Sequence, residues 1–201
     1  MVKNFKTKHS IKKIQENVLE IAIELARKGE GALFVISDKS DYHLLIKQEM
    51  PKLDVFDSSS RKILFSLAQI DGAVIINTQG KLIAYGAMIK KAKPFVGYGT
   101  RHAAAVTASK TGVAILCSEE ERKVKIFKDG KFVMQIDALQ KNIEKQIPAM
   151  SKILESVGVG FLGMVGATVL APSLGIALLP GVVVFGASYY AIHRIVDYFR
   201  E

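Results

Sequence analysis

From Ser156 to Ile192 the chain runs for 37 residues without one Asp, Glu, Lys, Arg, His, Asn or Gln. A surface helix or strand needs polar side chains on its solvent face, so this run must be covered by lipid or by protein. As a single helix it would measure about 55 Å, against a bilayer core of about 30 Å. Ala171-Pro172-Ser173 supplies a break, leaving arms at Val157–Ala171 and Leu174–Ile192. The expectation is a hydrophobic, membrane-embedded helical hairpin. Lys141, Lys145 and Lys152 lie before it and His193, Arg194 and Arg200 after it, which places both flanks on the cytoplasmic side of the cell membrane. Glycines at 158, 160, 163 and 166 permit close helix packing, so a helical pair buried in a soluble oligomer is the other reading.

The rest of the chain is of a different kind. Lys+Arg is 28 against Asp+Glu 19, a formal +9, and residues 156–201 contribute none of it: Arg194 and Arg200 balance Asp197 and Glu201. The basic residues are spread over helices, loops and a hairpin without interleaved aromatics, so no nucleic-acid partner is expected. A hydrophobic content of 49% excludes an intrinsically disordered chain. Cys117 is the sole cysteine, which excludes an intrachain disulfide and a cysteine-rich zinc site and suits a reducing compartment. The basic start, Met1 to Gln15, has no apolar stretch behind it and does not read as a signal peptide.

Ile11, Ile14, Val18, Ile21, Ala22 and Leu25 recur at helical spacing between a Ser10 cap and a Gly29 stop. Gly31–Ile36 is a short buried-strand run, His43–Ile46 a weaker one, and Asp57 to Ser60 offer caps for a helix through Arg61–Gln69. Gly72–Ile76 and Leu82–Ile89 are strands around an Asn77–Gly80 turn, followed by Val113–Cys117. Lys123–Lys128 and Lys131–Ile136 alternate about Asp129-Gly130, a strong hairpin signal. A helix from about Asp137 to Glu155, disturbed at Pro148, completes the pattern. Strands mixed with helices give an α/β or α+β fold.

Gly97-Tyr98-Gly99-Thr100-Arg101-His102 opens directly into Ala103–Lys110. A glycine-containing loop entering a helix N-terminus is an anion site, because unpaired N–H groups and the helix dipole face outward. Arg101 adds a two-pronged phosphate donor, and His102 a donor or ligand set by its protonation. A plain helix cap with a surface Arg-His is the alternative. Asp71-Gly72-Ala73 places a carboxylate at the mouth of a buried strand, where a turn-capping Asp is the alternative.

Asp-Gly-Ala at 71–73, Gly-Thr-Arg-His at 99–102 and Ser118-Glu119-Glu120, in this order and after Gly31-Ala-Leu, resemble the diadenylate cyclase (DAC) domain over about residues 29–136. The resemblance implies a mixed central sheet flanked by helices. It implies a nucleotidyltransferase that condenses two ATP into cyclic di-AMP, releasing two pyrophosphates, with Mg²⁺ or Mn²⁺ and with two domains face to face in a homodimer or higher oligomer. On it, Asp71, Arg101 and His102 are the catalytic candidates, with Asp71 also a metal ligand. Gly72, Ala73, Met88, Ile89, Gly99, Thr100, Arg101, His102, Glu119 and Glu120 are the nucleotide-binding candidates. Ordinary strand core is the alternative for Met88 and Ile89, and a solvated acidic cluster for Glu119 and Glu120. The resulting division is an N-terminal amphipathic helix at 1–28, a cyclase-like domain at 29–140, a connecting helix at 141–155 and the hydrophobic hairpin at 156–201.

Two positions depart from the family pattern. Ala103 stands where a second arginine is common, and Ile70 precedes the Asp where some membrane-bound members carry histidine. Lys90, Lys91 or Lys93 is expected to replace the missing charge. The rival reading is a noncatalytic nucleotide-binding membrane receptor or effector on a degenerate cyclase fold.

Overall fold

A computed structural model of the protein describes residues 11–45, 47, 49, 51–93, 99–156 and 181–184. Its centre is an eight-stranded mixed sheet in the order β2-β4-β3-β1-β5-β6-β7-β8. The strands are β1 (Ala32–Ile36), β2 (Tyr42–Leu44), β3 (Ala73–Ile76), β4 (Leu82–Ile89), β5 (Val113–Ser118), β6 (Lys123–Lys128), β7 (Lys131–Asp137) and β8 (Val182–Val184). Only β1 and β3 pair in parallel, and every other neighbour is antiparallel.

The helices α1 (Ile11–Lys28), α2 (Ser58–Ala68), α3 (Thr100–Ala108) and α4 (Ile147–Ser156) divide between the two faces. Phe34, Ile36, Val74, Ile76, Ile115, Val124 and Ile126 point to the face covered by α1, α2 and α4. Leu33, Val35, Ala73, Ile75, Ala114, Leu116 and Phe127 point to the other, which Ala105 and Ala108 of α3 cover. Both faces of β1 are therefore buried, which is why Ala32–Ile36 is a continuous apolar run rather than an alternating one.

Amphipathic α1 is built into this core: Ile14, Val18, Leu19, Ala22 and Leu25 are completely buried. Arg61 of α2 pairs with Glu20 and Glu24 of α1, and Ser151 of α4 donates to the buried Glu16 carboxylate at 3.0 Å. The segments 1–28 and 141–155 thus pack, where described, on the same sheet as the segment between them.

Two expectations are corrected. The helix foreseen from Asp137 begins later: Asp137 closes β7, a 3₁₀ turn spans Ile143–Gln146, and α4 starts at Ile147. Pro148 sits in the first turn of α4, where its missing N–H costs nothing, so it starts the helix instead of disturbing it. Within the arm foreseen as helix over Leu174–Ile192, Val182–Val184 is a strand paired with Met134–Ile136, anchored by Asp137 N–H donating to the Gly181 carbonyl at 2.7 Å. Three successive β-branched residues favour an extended edge strand when a free edge is at hand. Val157–Ala171 and the remainder of the second arm lie outside the described residues. Among the described residues, no helix is long and apolar enough to cross a membrane.

Candidate functional site

The N-terminal ends of β1 and β3, the C-terminal ends of β4 and β5 and the start of α3 converge on a cavity of about 670 Å³. Asp71, Gly72, Ala73, Met88, Ile89, Gly99, Thr100, Arg101, His102, Glu119 and Glu120 all line it. The sequence spreads these residues over 50 positions; the sheet order collects them, since β3, β1 and β5 are adjacent.

Each is held for a local reason. Gly72 has φ +104°, and a Cβ there would lie 2.6 Å from the Gly86 carbonyl carbon and 2.8 Å from the Ala87 nitrogen. The Asp-Gly-Ala turn thus needs glycine twice over, for a left-handed backbone and for the close approach of β4. Gly86 itself has φ +55° where the β3–β4 register shifts, a bulge of the kind that re-aims a strand beside a site. Gly99 is the N-cap of α3 and brings no side chain to it; its carbonyl accepts from the His102 and Ala103 N–H groups at 3.0 and 3.3 Å, and the positive end of the helix dipole borders the cavity at Thr100 and Arg101.

Arg101 spans the cavity mouth. Its Nη2 lies 3.7 Å from Asp71 Oδ1 and its Nη1 3.7 Å from Glu119 Oε2. Both carboxylates are largely exposed, so these are loose pairings that a ligand phosphate can displace. Gly31 makes the span possible, because a Cβ there would lie 2.1 Å from Arg101 Nη1 and 2.8 Å from Glu119 Oε2. His102, half-buried, has its ring edge-on to Phe127 and its Nε2 at 3.3 Å from Lys125 Nζ. Burial holds its imidazole below the usual 6.5, the Lys125 charge adds to this, and Glu121 opposes it.

The sequence did not point to Leu33, Ala87, Ala104, Leu116, Cys117 or Ser118 as lining residues, nor to Lys125 and Glu121 behind His102. Apolar strand residues carry no signal that separates cavity wall from core. Cys117 is no nucleophile: complete burial pushes its thiol far above the ordinary range, and its Sγ reaches the Ala22 carbonyl at 3.4 Å. The expected replacement cations are not in the cavity lining. Lys90 pairs with Asp41 at 3.2 Å, and of residues 90–93 only Ala92 is a lining residue. Ala103 is buried and is not a lining residue either.

Among the described residues no three His, Cys, Asp or Glu side chains cluster to hold a metal ion by themselves. A hard divalent cation commonly takes one or two carboxylates and completes its shell with substrate phosphates and water. Asp71, a carboxylate on the cavity beside a phosphate-receptive helix end, fits that mode.

The family model described as "DisA bacterial checkpoint controller nucleotide-binding" (DAC) matches residues 20–132. The chain is 32% identical over 142 residues to a diadenylate cyclase of Methanocaldococcus jannaschii, covering 63% of this chain and 46% of the relative. It is 32% identical over 138 residues to one of Haloferax volcanii, covering 60% and 51%. The chain thus spans about half the length of these curated relatives. Among solved structures it is similar to DacA from Staphylococcus aureus (TM-score 0.46, 20% identity, 74% of this chain and 97% of that one). It is also similar to a hypothetical membrane-spanning protein from Bacillus cereus (TM-score 0.45, 19% identity, 57% and 59%). With more than half its length matched by the family model, and with Asp71-Gly72-Ala73 and Gly99-Thr100-Arg101-His102 gathered on one cavity, the chain belongs to the DAC family.

Proposed function

We propose that the protein is a diadenylate cyclase that joins two ATP molecules into cyclic di-AMP across two copies of the cavity set face to face. The observation that carries this reading is the span of Arg101 between Asp71 and Glu119 at the open N-terminus of α3. One nucleotide lies in each cavity, its phosphates on the Gly99–His102 helix end and the Arg101 guanidinium. The 3′-oxygen of each ATP attacks the α-phosphorus of the other, forming a 3′-O–P bond as the bond to pyrophosphate breaks. Asp71 receives the hydroxyl proton, and the second, mirrored step closes the ring and releases the second pyrophosphate. Arg101 and the α3 N–H groups oppose the charge that builds on the departing pyrophosphate, the electrostatic contribution that usually dominates phosphoryl-type transfer. Asp71 would hold Mg²⁺ or Mn²⁺ together with the substrate, and the ion would supply charge neutralisation at the triphosphate. Met88 and Ile89 provide an apolar wall for the base.

Membrane attachment through the uncharged residues 157–180 between α4 and β8, with the sheet domain on the cytoplasmic side, belongs to the same reading and rests on the sequence pattern. Sedimentation of the full chain with salt-washed membranes, resistant to everything but detergent, is the expected outcome.

Incubating the purified full chain with ATP and Mn²⁺ should yield cyclic di-AMP by mass spectrometry, and Asp71→Asn should abolish it with the fold intact. Undiminished product from that variant would overturn the role of Asp71. Tight ATP binding without product would favour the noncatalytic receptor.

A further inference from the structure

We infer that Lys125 is a positioning residue that fixes His102 as a neutral imidazole carrying its proton on Nδ1. The catalytic consequence rests on the proposed cyclase reading; the protonation geometry does not. Lys125 occupies a polar position in the alternating β6, yet it is only 8% exposed, because the start of α3 lies over it. A buried lysine is rare without a partner, and this one has two. The Glu121 carboxylate accepts from its Nζ on one side, and His102 Nε2 lies 3.3 Å away on the other.

An ammonium has three donors and no acceptor. Nε2 must therefore present its lone pair to Lys125, and the single proton of the neutral ring sits on Nδ1. A proton on Nε2 would set two donors against each other at 3.3 Å. Phe127, edge-on at 6.3 Å between centroids, limits rotation of the ring. Among the described residues, the charged groups near His102 are Lys125 on β6, Glu121 in the turn after β5, and Arg101 on its own helix. Arg101 is engaged with Asp71 and Glu119, and Glu121 is held ionised: burial opposes its charge, but Lys125 and Lys123 outweigh burial. Burial and the Lys125 charge favour the neutral imidazole, and the Glu121 carboxylate opposes them without outweighing them. In the proposed reaction the imidazole then serves as an uncharged donor, and the cationic work at the triphosphate falls to Arg101 and the helix end. Lys125 is not itself a lining residue, and it reaches the cavity through His102.

The test is nitrogen-15 NMR of the His102 ring in the full chain, assigned with His102→Gln, alongside steady-state kinetics. The wild type should show the Nδ1–H tautomer and a titration midpoint below 6.5. Lys125→Met should lose that tautomer preference and raise the midpoint; Lys125→Arg, which keeps a donor to Nε2, should retain both. Glu121→Gln should keep the tautomer and lower the midpoint, and it decides the matter should Lys125→Met not fold. In turnover, Lys125→Met should lower kcat by roughly 10- to 100-fold with KM for ATP little changed, and Lys125→Arg should recover part of it. An Nε2–H tautomer in the wild type, or an unmoved tautomer and midpoint in Lys125→Met, would overturn the inference. Failure of the wild type to make cyclic di-AMP would remove the cyclase reading and leave the NMR result to stand or fall separately.

Discussion

Gly72 lines the cavity and Gly31 lies against the lining residues Arg101 and Glu119, yet a methyl group on each meets a different obstacle. At Gly72 the nearest atoms are backbone of Gly86 and Ala87, and φ is +104°. The left-handed conformation alone costs alanine roughly 1–2 kcal/mol, and the backbone contact adds to it. Gly72→Ala should therefore unfold several degrees below the wild type, since each kcal/mol moves a domain of this size by about 2–4 °C. At Gly31 the nearest atoms are the tips of Arg101 and Glu119, which can move aside. Gly31→Ala should keep its melting temperature and lose roughly 10- to 100-fold in ATP affinity, as expected when a charge-assisted contact worth about 1.5–3 kcal/mol is misplaced. Thermal melts and nucleotide titrations of the two variants check the contrast; equal effects on both readouts would contradict it. Much of the site was legible at this scale because Asp71, Gly99, Thr100 and Arg101 carry chemistry in their residue types. Gly31 was legible only as the start of a strand, and its reason, room for a guanidinium from α3, needed three dimensions.

Elements whose residues alternate or recur about a solvent boundary announce themselves, and those without such a boundary do not. Amphipathic α1 was foreseen to within one residue at each end, and the Asp129-Gly130 turn was found with φ +53° and +71°, both left-handed as its hairpin requires. Lys125 misleads by the same logic: alternation assigns it to solvent, while α3 covers that side of β6. β8 is the extreme case, three valines inside an uncharged run where every period fits equally well. Val182 packs against the core formed with α1 and α4, so Val182→Asp should detach the strand. Hydrogen exchange should then accelerate in β7 at Met134–Asp137, while the β5–β6 ladder keeps its protection. Unchanged exchange in β7 would mean that β8 adds nothing to that edge.

At the scale of the molecule, the sheet brings Asp71 and the α3 helix end to one cavity per chain, and the proposed reaction needs two reciprocal attacks. On that proposal a lone chain binds ATP but cannot offer its 3′-oxygen a second α-phosphate, so catalysis depends on encounter between copies. The rate per chain should therefore fall as the protein is diluted at saturating ATP, levelling off only where pairing is complete. Mixing separates pairing from other causes of dilution loss. With excess Asp71→Asn added to a fixed amount of wild type, most wild-type chains face a variant whose ATP cannot deprotonate its own 3′-oxygen. One bond then forms and the other does not, so the linear triphosphate dinucleotide should accumulate while cyclic product falls. The two products are distinguished by mass, and the linear species should be scarce in wild type alone. A membrane surface would raise the encounter rate by confining the chains, and the dilution effect should shrink when the full chain is reconstituted in vesicles. A per-chain rate unaffected by dilution, together with unaltered output on mixing, would mean that a single chain completes both bonds. The mirrored arrangement would then be wrong even with Asp71 and Arg101 correctly assigned.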